Sequence, residues 1–357
     1  MIDREVFHPE WASWPGETIK DILLERGVAP SEFALQVGQT IKQVKDLLEG
    51  RTPITLAVAR SLSELLGASP EFWMSRDLQY RKDLMRLSAR DREWVDAFPI
   101  RDMVDLGWIP PVTQTGAKVQ ACLQFFDVQS VPDWHHKYSA LQELVAFRTS
   151  PAHVSTPGAI AAWLRQGEIE AEEVPCARWD QTRFGDSLFE MRSLTRIKNP
   201  ERFVPRLRTI CASAGVAAVV VRAPSGCRAS GATRFLSDDK ALLQLSFRYL
   251  TDDHFWFTFF HEAGHLLLHG GKRIFLEGAG SPPTAEEQEA NDYAASVLLP
   301  DEYQQEFMKL RESWTDVIRF AVRAGVSPGI VVGQLQHTGR IGHSELNRLK
   351  RRYRWNQ

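Results

Sequence analysis

The stretch HEAGHLLLH, residues 261–269, sets two imidazoles four residues apart with a carboxylate beside the first. On a helix, His261 and His265 leave the same face about one turn apart and can reach one ion, while Glu262, one step round, reaches a water on that ion. The chemistry needs this arrangement. A metal lowers the pKa of its water toward neutrality, and the carboxylate takes the proton and later delivers it to a leaving amine. The competing reading is a chance match on a buried helix. HFWFTFF, residues 254–260, bears on the choice because it makes the start of the helix strongly apolar. His261 and His265 then become buried polar groups that need partners, and a metal ion is one such partner.

A tetrahedral catalytic zinc wants a third protein ligand and an open position for water. TAEEQEANDYAASVLLP, residues 284–300, offers Glu286, Glu287 and Glu289. On a helix its apolar stripe is Ala290, Tyr293, Ala294, Val297 and Leu298; Glu286 and Glu287 fall within the stripe and Glu289 at its border. Asn291, four residues after Glu287, can reach back to hold a ligand. Against a ligand role, Thr284 and Glu287 also fit a T-x-x-E capping box, which would spend Glu287 on backbone N–H groups.

HEAGHLLLH followed by Glu287, Ala290, Asn291, Ala294, Ala295, Leu298, Leu299 and Pro300 resembles the ImmA/IrrE family of zinc metallopeptidases across about residues 200–300. The resemblance implies an α+β zincin-like domain with zinc on His261, His265 and Glu287 and with Glu262 as general base. It also implies proteolysis of a DNA-binding regulator rather than of bulk protein. His269, four further along the same helix face, reads as a substrate contact or, better, as a structural residue. The donor that stabilises the tetrahedral oxyanion is not identified, since Arg248, Tyr249 and His254 are near the helix only in sequence.

The elements that must hold these residues come before and after them. Strand-like runs occupy 215–222, 229–236 and 241–249. In the last, Leu243, Leu245, Phe247 and Tyr249 alternate with Gln244, Ser246 and Arg248, which predicts a strand with one buried face. Residues 284–299 read as a helix ended by Pro300, and the chain finishes in a helical tail containing RLKRRYR, residues 348–354. Its charges suit either a nucleic-acid contact or, better, the solvated side of a helix packed on the peptidase domain.

A second signature lies near the other end. Residues 17–80 and beyond read as consecutive short helices that start at Glu, Ser or Thr and mostly stop at Gly. SEFALQVGQTIKQVKDLLEG, residues 31–50, has a helix, a turn at Gly38 and a second helix capped by Thr40. Ala34, Leu35, Val37, Ile41, Val44, Leu47 and Leu48 are its apolar positions, the spacing of a helix-turn-helix. In that geometry Gln39, Thr40, Lys42, Gln43 and Lys45 face the major groove, with Gln43 as base reader, while Arg51 and Thr52 touch phosphates. A plain helical bundle with a solvated polar face is the alternative, which Asp46 and Glu49 favour. Across residues 8–85 the frame HPEW, PGETIKDILLERG and LLEGRTPITLAVARSLSELLGASPEFWMSRDLQY resembles the XRE-type, HigA-like antitoxin domain. That resemblance implies a repressor module that binds operator DNA and usually dimerises.

Composition bounds the rest. A chain of 357 residues is long enough for two or three domains. Its 43 Lys and Arg against 45 Asp and Glu mean that any DNA contact must come from a local patch. Cys122, Cys176, Cys211 and Cys227 form no CxxC pair, so neither a disulfide framework nor a thiolate zinc site is signalled, and a reducing cytoplasm is the expected setting. No leader opens the chain and no apolar run approaches a membrane span, so no membrane contact is expected. The expectation is a multidomain protein. An all-α helix-turn-helix domain occupies 1–90, a mostly helical connecting region 91–200, and an α+β zincin-like peptidase domain with its tail 201–357.

Overall fold

The computed structural model describes residues 12–139, 156–270, 275–278 and 284–353. The chain divides into two compact units, Met1–Val95 and Asp96–Gln357.

The first unit is helical: α1 (Pro15–Glu25), α2 (Pro30–Gln36), α3 (Ile41–Leu48), α4 (Leu56–Leu66) and α5 (Pro70–Asp96). α5 runs well past the short helix the sequence suggests. Phe33, Ala34, Val44, Leu47 and Leu48 join Ile19, Leu62 and Trp73 in one core. Removing such large apolar side chains from water stabilises the unit by roughly 1.5–3 kcal/mol each. Leu35 and Ile41 do not join it. Both are exposed, because the helix directions turn only the Ala34 and Val44 faces inward.

The second unit begins with α6 (Ile100–Asp105), α7 (Thr115–Phe126), α8 (Val131–Lys137), α9 (Pro157–Glu172), α10 (Gln181–Leu194) and α11 (Pro200–Ser213). Three strands follow: β1 (Val216–Val220), β2 (Ala229–Ser237) and β3 (Lys240–Leu245). Then come α12 (Asp252–Leu268), β4 (Phe275–Gly278), α13 (Ala285–Leu298), α14 (Asp301–Met308), α15 (Trp314–Ala324) and α16 (Pro328–His337). The strands form one sheet of order β1-β3-β2-β4, in which β1 pairs parallel to β3 and the other pairs are antiparallel.

The alternation in residues 241–249 predicts one buried face, but the structure buries both. Leu243 and Leu245 join the large core with Phe259, Phe260 and Ala263 of α12. On the other face Gln244 is fully buried under α9, where its amide nitrogen donates to the carbonyl of Trp163 at 2.7 Å. A buried amide is tolerated because that bond is made. The pattern of polar residues therefore marks not solvent but a helix from residues 91–200, the stretch set apart above as a connecting region.

The tail is anchored in part and solvated in part, with Arg348 and Arg352 exposed. Lys350 Nζ pairs with the buried Asp253 at 2.6 Å, Arg351 donates to the carbonyls of Thr195 and Arg196, and Tyr353 is buried. Arg354 lies outside the described residues. Among those described, no helix is long and apolar enough to cross a membrane.

Candidate metal centre

α12 carries the HEAGH stretch through the middle of the core, and His261, Glu262 and His265 are all buried. α13 lies against it. An added Cβ on Gly264 would stand 3.2 Å from Tyr293 Cδ1 and 3.4 Å from the Cα of Ala290, so the two helices meet where both offer minimal side chains. That approach brings the first turn of α13 under the histidines.

Three atoms converge there. His261 Nε2 is 3.1 Å from His265 Nε2, and Glu287 Oε2 is 3.2 Å from the first and 3.7 Å from the second. A tetrahedral ion with ligand atoms about 2.1 Å away separates those atoms by about 3.4 Å. The spacing fits such an ion. Among the described residues, His261, His265 and Glu287 form the group whose ligand atoms could hold a metal. Burial lowers the affinity of His265 for a proton, outweighing the carboxylate beside it, which favours the neutral ring a metal requires. At Glu287, burial opposes ionisation, but the two histidines beside it outweigh burial and hold the carboxyl well below the usual range.

The capping question resolves without conflict. Thr284 Oγ1 accepts from the backbone N–H of Glu287 at 3.2 Å, so the residue is capped through its main chain while its side chain turns to the histidines. Asn291, expected to reach Glu287, has its Oδ1 3.0 Å from His261 Nδ1. An amide oxygen only accepts, so His261 Nδ1 carries the proton and Nε2 presents its lone pair. Glu289 lies instead 2.9 Å from His269 Nε2.

Glu262 is held against the sheet. A Cβ on Gly231 of β2 would stand 2.6 Å from Glu262 Oε1 and 2.6 Å from Thr258 Cγ2, so only a glycine lets the strand pass this carboxylate. One turn earlier on the helix, a cavity of about 360 Å³ opens beside Phe257, whose ring centroid is 6.3 Å from that of His261. Tyr249 and His254 line it, together with Gln334 and His337 of α16, residues that no sequence motif indicated. Arg248 is engaged elsewhere, stacked over Tyr249 and donating to the carbonyl of Arg228.

In the first unit, Thr40, Lys42, Gln43, Lys45, Arg51 and Thr52 are exposed and Gln39 is half-buried. Three of them are already committed. Gln43 Oε1 accepts from Thr40 N at 2.9 Å while Thr40 Oγ1 accepts from Gln43 N, a complete capping box at the start of α3. Arg51 pairs with both Asp46 and Glu49.

Residues 216–335, from the start of β1 into α16, match the family model of the IrrE N-terminal-like domain, Peptidase_M78. No curated protein matches the chain. The matched segment is therefore similar to a metallopeptidase domain, and it contains the whole His261, His265 and Glu287 cluster.

Proposed function

We propose that the chain is a regulator with two activities, a zinc-dependent endopeptidase that cleaves a regulatory protein and an operator-binding helix-turn-helix domain. The observation that carries the first is the convergence of His261 Nε2, His265 Nε2 and Glu287 Oε2 beside a buried Glu262. When bound, zinc polarises the scissile carbonyl and makes water a nucleophile at neutral pH. Glu262 takes the proton of the attacking water and returns it to the leaving amine nitrogen. Asn291 holds the His261 ring in the tautomer that leaves Nε2 facing the cluster. The cavity beside Phe257 receives a side chain of the substrate.

The test is metal analysis of the purified chain followed by digestion of a peptide pool, with new termini read by mass spectrometry. About one zinc per chain and cleavage abolished by Glu262→Gln are expected. A wild-type chain that holds zinc but cuts no more than Glu262→Gln would make the domain a non-catalytic scaffold of an antitoxin-like repressor.

The DNA reading rests on the α2–turn–α3 arrangement and on the exposure of Lys42 and Lys45, which have no ion pair among the described residues. In this reading the module acts as a homodimer on an inverted repeat. Binding of the full chain to duplexes selected from a random pool tests it, and no preference for any duplex would make the unit a protein-binding module.

A further inference from the structure

Behind His265 the structure shows a second chain of contacts that the two-histidine motif does not include. His265 Nδ1 lies 3.0 Å from His269 Nδ1, and His269 Nε2 lies 2.9 Å from Glu289 Oε2. The directions follow from the chemistry. An ionised carboxylate only accepts, so His269 Nε2 carries the ring proton. In the singly protonated ring Nδ1 accepts, and His265 Nδ1 then donates to it. His265 Nε2 is left with its lone pair toward His261 Nε2 and Glu287 Oε2. Phe275 of β4 stacks on the His265 ring, with centroids 4.1 Å apart and planes within 14°, so the ring is held in its plane as well as in its tautomer.

We propose that His269 and Glu289 are positioning residues for the metal site, a His–His–carboxylate relay that fixes His265 as an Nε2 ligand. The proposal rests on the metal-binding reading above and deepens it. It also gives His269 a role that its spacing alone left between substrate contact and packing. The two ligand histidines are thus oriented by different means: His261 by the amide of Asn291 from α13, His265 by the last residue of its own face. The relay is graded in exposure. The His269 side chain is 8% exposed and that of Glu289 63%, so water can stand in for the outer member but not for the inner one.

Glutamine tests the assignment, because its amide offers one acceptor to His265 and one donor to Glu289, whereas leucine offers neither. Zinc dissociation constants are measured on the full chain by competition with a chromophoric chelator, and the absorption spectrum of the cobalt-substituted protein reports ligand geometry. His269→Leu is expected to weaken zinc binding by about 10- to 100-fold and to alter the cobalt spectrum. His269→Gln is expected to recover most of both, and Glu289→Ala to cost less than His269→Leu. Equal zinc affinity in wild type and His269→Leu overturns the relay and leaves the metal site standing. Recovery absent in a folded His269→Gln also overturns it. A wild-type chain that takes up no zinc overturns the relay and the metal-binding reading together.

Discussion

Glu262 follows His261 on α12 and Glu287 comes from the first turn of α13, and their surroundings differ. Glu287 points an oxygen at both Nε2 atoms, and its ionised form is favoured there. The Glu262 carboxylate lies against Gly231 of β2. Zinc analysis of variants should separate the two. His261→Ala, His265→Ala and Glu287→Ala are expected to lose the metal, while Glu262→Gln keeps it and loses about 10²- to 10⁴-fold in cleavage rate. Glu287→Ala should cost far more zinc affinity than Glu289→Ala, since the second carboxylate is paired with His269 and the first lies beside both His261 and His265. If Glu262→Gln lost zinc as completely as the histidine variants, its assignment as a base acting on water would be wrong.

Between elements, two glycines set the distances on which the site depends. At Gly264 the α12–α13 contact leaves 3.2 Å to Tyr293 for a new Cβ. Gly264→Leu should therefore push the first turn of α13 off the histidines. The expected loss is about 1–3 kcal/mol of stability, together with weakened zinc binding. Gly231→Ala acts on the opposite side. Its Cβ would meet the Glu262 carboxylate, so cleavage should fall while zinc affinity in chelator competition stays near wild type. Loss of zinc and cleavage in equal measure from Gly231→Ala would show that β2 supports the ligands rather than the base.

At the scale of the molecule, the two units have separate hydrophobic cores. Zinc present at about 100 times its dissociation constant should stabilise the second unit by about 2.7 kcal/mol. Calorimetry should accordingly show one transition that shifts on chelation and one that does not. For DNA, salt titrations of the full chain distinguish the basic residues. Lys42→Ala and Lys45→Ala should each flatten the salt dependence by about one unit of slope. Arg51→Ala should do less, because Arg51 must first leave Asp46 and Glu49. Gln43→Ala should lose about 1–3 kcal/mol on a selected duplex and little on a scrambled one. The same change removes the α3 capping box, so a melting curve must accompany the titration.

Local rules account for what the sequence by itself determined. Helical spacing put His261 and His265 on one face, the alternating and apolar runs marked β1, β2 and β3, and Thr40 and Thr284 announced their caps, because each depends on residues a few positions apart. Among the three glutamates that begin one helix, the stripe set Glu289 at its border and left Glu286 and Glu287 within it, and the family resemblance pointed to Glu287. What the approach of α13 to α12 at Gly264 adds, a contact between segments the sequence does not pair, is that the Glu287 carboxylate lies beside both histidines. The same holds for Asn291, whose partner is a histidine thirty residues away, and for Gln244, whose polar side chain looks like solvent exposure until α9 is laid over it. Leu35 and Ile41 fail in the opposite sense, apolar in type but exposed, because hydrophobicity fixes which side chains gain from burial and only the packing of α1 to α5 decides which of them find a neighbour.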